Sequence, residues 1–131
     1  PIELSNFSKK KLILYFYPKD DTPGCTKEAC NFRDNYDALT KNNFAVVGVS
    51  ADTSAKHKKF ISKYNLPFSL LADTEKEVIK SYNCWGLKKF MGREYEGILR
   101  KTFVIENNTI IKIFEKVKTT DHFNQIIEAL N

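Results

Sequence analysis

Apolar residues arrive in this chain as short unbroken runs separated by longer stretches of mixed polarity. Leu12–Tyr17 is one such run, rich in aromatics, and Phe44–Ser50 is a second. Runs of this length without alternation read as strands buried on both faces, as in a parallel sheet. Phe68–Leu71 reads as a third, shorter strand. Between the runs the period lengthens. Ala29, Phe32, Tyr36 and Leu39 recur at spacings of three and four, which predicts one helix from the turn Thr22–Gly24 to Asn42 and Asn43. Phe60, Ile61 and Tyr64 predict a helix capped by Ser54 and stopped at Leu66 and Pro67. Val78, Ile79 and Tyr82 predict another, opened by Asp73–Glu77. Residues 85 to 97 carry Gly86, Gly92 and Gly97 and read as an irregular connection. Ile98–Glu106 and Thr109–Val117 read as a hairpin turned at Asn107 and Asn108, because Asn tolerates positive φ. Asp121 then caps a last helix with Phe123, Ile126, Ile127 and Leu130 on its apolar side.

The order is strand, helix, strand, helix, strand, helix, hairpin, helix. Alternating β and α units predict parallel crossovers, and the hairpin adds an antiparallel portion. The expected architecture is a thioredoxin-like three-layer α/β fold with a mixed central β-sheet flanked by helices. A length of 131 residues fits one domain, residues 1–131. The chain opens on Pro1 rather than methionine, so a short leading segment is expected to be missing.

Composition narrows the function. The run Leu12–Tyr17 is far shorter than the roughly 20 residues that span a bilayer, so no membrane partner is expected. The net charge of +5 comes almost wholly from lysines spread along the chain. They are not interleaved with exposed aromatics, so a solvated basic surface is expected and no nucleic-acid partner. Three cysteines are an odd number, which suits a reducing compartment, the cytoplasm, and not a structural disulfide framework.

The candidate chemistry lies in Pro18–Cys30. A strand running into Thr22, Pro23 and Gly24 places Cys25 near a helix N-terminus, where free N–H groups and the helix dipole favour a thiolate. Thr22 offers a hydroxyl three residues earlier. Pro18 ends the strand and shields the pocket without adding an N–H donor. A guanidinium nearby would strengthen the thiolate, and the chain offers Arg33, Arg93 and Arg100. Arg100 is favoured because it falls on a β-rich segment expected beside the first strand.

Cys30 follows Cys25 by five residues. In a regular helix their Cα atoms lie about 8.5 Å apart, beyond the roughly 7 Å at which a disulfide closes. If the two pair, the start of the helix must unravel first. Cys84 reads as a semi-buried free thiol. His57, among Lys56, Lys58 and Lys59, reads as exposed, and His122 falls in the first turn of the last helix. Neither has a zinc-ligand spacing.

The pattern Pro18, Thr22, Cys25 resembles the peroxiredoxin active-site motif. The longer stretch from Tyr15 to Cys30, with Glu28, is similar to the bacterioferritin comigratory protein or peroxiredoxin Q branch. A second block, Trp85 and Gly86 followed by Gly97, Arg100, Thr102 and Phe103, resembles the same branch. The resemblance implies a thiol peroxidase acting on hydrogen peroxide and organic hydroperoxides. Cys25 would be the peroxidatic cysteine, oxidised to a sulfenic acid. Cys30 would be the resolving cysteine, and thioredoxin or a similar dithiol would reduce the resulting intramolecular disulfide. Thr22, Arg100, Pro18 and the backbone N–H groups near Gly24 and Cys25 would form the peroxide pocket, with Glu28 orienting the arginine. No metal, flavin or haem cofactor is implied, and an internal resolving cysteine favours a monomer. The rival readings are a redox sensor or thiol–disulfide relay using the same pair. A thiol–disulfide oxidoreductase would instead be expected to carry Cys-x-x-Cys.

Overall fold

The computed structural model describes residues 10–130. The expectation about the N-terminus concerns residues outside that range. Strand β1 (Lys11–Phe16) lies at the centre of a five-stranded sheet. It pairs in parallel with β2 (Phe44–Ser50), which pairs in parallel with β3 (Ser69–Ala72). On its other side β1 runs antiparallel to β6 (Lys101–Glu106), and β6 to β7 (Thr109–Phe114). The strand order is β3-β2-β1-β6-β7, the mixed sheet that the alternating pattern predicts.

The central strand is buried on both faces because its neighbours are covered on both. Ile13, Tyr15 and Tyr17 join a core with Ala29 and Phe32 of α1 (Pro23–Asp34), Phe60 of α3 (Ser54–Tyr64) and Ile126 of α5 (His122–Leu130). Leu12, Leu14 and Phe16 face the opposite core, with Ile79 of α4 (Glu77–Ser81), Cys84 and Ile98. The result is three layers of secondary structure.

Four sequence expectations change. The helix expected from the turn to Asn42 is two: α1 ends at Asp34, and α2 covers Tyr36–Lys41. Asn35 makes the break, since its side-chain amide donates to the Asn31 carbonyl (2.8 Å) and competes with the backbone. Asp73 does not open α4 directly. The chain first turns through Lys76 at φ 61°, and the Asp73 carboxylate then accepts the Ile79 N–H at 2.8 Å. Thr53, not Ser54, caps α3 by accepting the Lys56 N–H.

Residues 85 to 97 are not irregular. They form most of an antiparallel hairpin of β4 (Trp85–Phe90) and β5 (Arg93–Ile98). Its turn residues Met91 and Gly92 both have positive φ, 52° and 80°. Leu87, Met91 and Tyr95 are exposed, and among the described side chains of the hairpin only Ile98, at its end, is buried, so little of an alternating pattern is written into the sequence.

Candidate active site

Three segments meet at Cys25. The first is the loop leaving the C-terminal end of β1, with Pro18 and Thr22. The second is the first turn of α1, with Gly24, Cys25 and Glu28. The third is the link between β5 and β6, with Arg100. Arg100 therefore sits at a strand boundary and not within a strand. That link is tied down by the Leu99 N–H donating to the Cys84 carbonyl at 2.7 Å. Arg100 lies 75 residues beyond Cys25, yet its Nη2 donates to Cys25 Sγ at 3.2 Å. Its Nη1 donates to Glu28 Oε1 at 2.6 Å.

The helix start leaves donors unclaimed. Thr22 is the N-cap residue but makes no side-chain cap bond, and Pro23 has no N–H to satisfy. Its hydroxyl instead donates to the Lys19 carbonyl at 2.9 Å. The proton of Thr22 is thus engaged, and its oxygen remains an acceptor. The N–H groups of Gly24 and Cys25, in the first turn, have no helical carbonyl to bond. Arg100 passes close to this turn: a Cβ on Gly24 would lie 3.4 Å from Arg100 Nη2, at the edge of ordinary contact. The thiol and the guanidinium are thus in contact, and the two backbone donors and the Thr22 oxygen belong to the same short stretch, residues 22–25.

Glu28 is fully buried, one helical turn beyond Cys25. Burial raises its carboxyl from 4.5 to about 7, although the Arg100 charge pulls the other way. Its Oε2 has no hydrogen-bond partner. Burial also works against the Arg100 charge, but Glu28 and Cys25 outweigh it and hold the guanidinium firmly protonated.

Cys25 and Cys30 both lie in α1 and both are free thiols. Cys25 is buried and Cys30 half-buried. Burial pushes the Cys30 thiol up. Arg33, on the last turn of α1, donates to the Tyr64 carbonyl at 2.9 Å, and Arg93 is exposed.

The sequence profile of the AhpC/TSA family matches residues 1–114. The chain belongs to that family. It is 45% identical over 130 residues to peroxiredoxin Bcp of Bacillus subtilis, covering 98% of this chain and 83% of that protein. It is 39% identical to peroxiredoxin Bcp of Escherichia coli, with the same coverage. Among solved structures, a cysteine-to-serine variant of Xylella fastidiosa PrxQ matches with a TM-score of 0.91 at 31% identity, covering 98% of this chain and 80% of that one. A Xanthomonas campestris bacterioferritin comigratory protein, studied for alkyl peroxide reduction, matches with a TM-score of 0.90 at 29% identity, covering 98% and 82%. This peroxiredoxin is thus a thiol peroxidase of the Bcp or PrxQ type, with the thioredoxin-like fold read from its sequence.

Two histidines in this peroxiredoxin are placed differently from their neighbours in sequence. His57 is 3% exposed, not on an open helix face. The lysines around it mask the signal, but His57, Phe60, Ile61 and Tyr64 keep helical spacing and mark the inner stripe of α3. His122 is fully buried. Its Nε2 lies 2.8 Å from Thr102 Oγ1 and its Nδ1 2.8 Å from Gln125 Oε1, an arrangement that suits a neutral ring protonated at Nδ1. Burial lowers it from 6.5 to about 4. Cys84 is fully buried on the far core, where burial raises its thiol to about 11.

Proposed function

We propose that Cys25 is the group that attacks the hydroperoxide. Its sulfur forms a bond to the terminal peroxide oxygen as the O–O bond breaks. Sulfur loses two electrons and becomes a sulfenic acid, and the departing oxygen takes a proton to leave as water or an alcohol. Arg100 holds positive charge where the peroxide oxygens become negative, and the Gly24 and Cys25 N–H groups add two fixed donors. The Thr22 oxygen, its own proton donated to the Lys19 carbonyl, accepts a hydrogen bond from the peroxide O–H, and Pro18 shields the sulfur from bulk water. Glu28 orients Arg100 from below.

Cys30 then resolves the sulfenic acid. Its thiolate attacks Cys25 sulfur, an S–S bond forms and water leaves. A thioredoxin-like dithiol reduces the disulfide. The resolving thiol comes from the same chain, so a monomer suffices. Three free cysteines suit a reducing compartment such as the cytoplasm.

The observation that carries this reading is the Arg100 fork, with one nitrogen on Cys25 sulfur and the other on a buried carboxylate. The test is peroxide consumption coupled to a thioredoxin system, with peptide mapping after one equivalent of peroxide. Cys25→Ser abolishes turnover, and mapping finds Cys25 joined to Cys30. Turnover retained in Cys25→Ser overturns the assignment, and a Cys25–Cys84 link overturns the role of Cys30. A redox relay would oxidise once but fail to sustain coupled consumption.

A further inference from the structure

The loop that carries Pro18 and Thr22 is held from beneath by a buried polar chain that the reaction itself does not use. Its centre is Asp20, 8% exposed, and His57, 3% exposed. His57 Nε2 lies 3.1 Å from the Leu71 carbonyl oxygen. A carbonyl only accepts, so Nε2 carries a proton. His57 Nδ1 lies 2.6 Å from Asp20 Oδ2, and with Nε2 already protonated this contact is an imidazolium against a carboxylate. Burial opposes charge on the ring, but Asp20 and the Leu71 carbonyl outweigh it and raise its pKa.

The other Asp20 oxygen accepts from Tyr17 Oη at 2.5 Å. The Asp20 backbone N–H donates to Asp52 Oδ2 at 2.8 Å, and that same oxygen accepts from Ser50 Oγ at 2.7 Å. Asp20, Asp52 and His57 bring ligand-type atoms within 4.8 Å of one another, but these bonds already engage them. The chain therefore joins the ends of β1 and β2, the strand β3, the helix α3 and residue 20. Residue 20 directly follows Lys19, whose carbonyl fixes the Thr22 hydroxyl. Outside, Asp21 is held by Lys63 at 2.8 Å and Tyr64 at 2.7 Å. Those contacts are exposed, and exposed ion pairs contribute little.

We propose that His57 is a positioning residue for peroxide reduction: through Asp20 it fixes the Pro18–Thr22 loop, and so the Thr22 oxygen, against Cys25. The inference rests on Cys25 being the attacking thiol. His57 touches neither the sulfur nor Arg100, so it sets geometry and not nucleophilicity. Small displacements of a positioning group cost large rate factors when the reacting atoms must be aligned. Alkylation of a thiolate by iodoacetamide uses no Thr22 contact and does not require that alignment.

The test measures two rates on each reduced variant: oxidation of Cys25 by hydrogen peroxide in a single turnover, and alkylation of Cys25 by iodoacetamide. His57→Gln is expected to slow oxidation about tenfold while leaving alkylation near wild type. In a Thr22→Ala background the same substitution loses most of its effect, because the group it positions is gone. Tyr17→Phe removes one bond to Asp20 and keeps the ring. It shows the same pattern to a smaller degree, and carries the test if His57→Gln does not fold. Equal slowing of both rates, an unchanged oxidation rate, or additive effects in the double variant would overturn the proposal. Failure of the peroxidase reading is separate, since it would appear as turnover in Cys25→Ser.

Discussion

Substituting Glu28 by Gln changes how stability depends on pH, and the sign follows from burial. The carboxyl is raised from 4.5 to about 7 in the folded chain, first by burial and against the pull of Arg100. The folded state therefore binds this proton more tightly than the unfolded state. Stability from this group is present below the unfolded value and is lost as pH rises from about 4.5 to about 7. A shift of that size corresponds to about 3 kcal/mol. His122 works in the opposite direction. Its folded value is depressed from 6.5 to about 4, so its stabilising contribution is present above 6.5 and is lost as pH falls towards 4. That also amounts to about 3 kcal/mol. The two slopes nearly cancel in the wild type between about pH 4.5 and 6.5. His57, with a raised pKa, adds stability that is lost only as pH rises above the range of an ordinary histidine.

Glu28→Gln removes one slope and leaves the other. Its amide nitrogen replaces an oxygen that has no partner, a cost that does not vary with pH. Urea midpoints measured from pH 4.5 to 6.5 are therefore expected to rise with pH in Glu28→Gln and to stay nearly flat in the wild type. In His122→Asn they are expected to fall. A Glu28→Gln curve parallel to the wild type would refute the account of the buried carboxyl, whatever the absolute stabilities.

Gly48→Ala is expected to destabilise the sheet by about 1–3 kcal/mol through overpacking. The added Cβ would lie 2.7 Å from Leu70 Cδ2 and 2.8 Å from Tyr15 Cζ, and an unchanged urea midpoint would contradict this. Cys84 is expected to resist thiol reagents under native conditions, being fully buried with its thiol raised to about 11. Labelling of Cys84 as fast as Cys30 would show that the far core opens more readily than its packing implies.

The fold was legible because it depends on runs that write themselves into sequence. Leu12–Tyr17 and Phe44–Ser50 are buried on both faces, so an unbroken apolar run is the only pattern they can carry. The Asn107 and Asn108 turn was legible for a related reason: both residues adopt positive φ, 51° and 62°. What failed to show were features whose cause is tertiary. Among its described side chains the β4–β5 hairpin buries only Ile98, at its end. The break at Asn35 arises from one side-chain bond to Asn31. His57 was hidden by lysines on its flanks, since local charge says nothing about which face of α3 turns inward. In the site, Cys25, Thr22 and Glu28 were close in sequence. Arg100 needed the expectation that its segment lies beside β1. The pairing of β1 with β6 explains why it reaches, with Phe16 opposite Lys101.

Under the proposed Cys25–Cys30 resolution, disulfide formation divides the site into a part that stays and a part that must open. The loop after β1 is bound through Asp20, and Arg100 is tied by the Leu99 link. At the far end of the opening segment, Asn31 Nδ2 donates to the Thr120 carbonyl at 3.2 Å and Asn31 Oδ1 accepts the Phe123 N–H at 2.7 Å. Residue 31 is thereby fixed to the start of α5. The stretch free to unravel runs from Pro23 to Cys30, with Cys25 two residues from its start and Cys30 at its end. Glu28 lies within that stretch, so opening moves its carboxyl from burial into water and releases its proton. The opening step then becomes easier as pH rises from about 5 to about 7, by up to tenfold per pH unit. Deprotonation of Cys30 steepens the same profile, so the informative quantity is a difference. After one equivalent of peroxide, disulfide formation in the wild type is expected to climb more steeply with pH than in Glu28→Gln, and Asn31→Ala is expected to hasten it at every pH. Equal slopes in wild type and Glu28→Gln would mean that Glu28 stays buried while the cysteines join, and that α1 opens by another route.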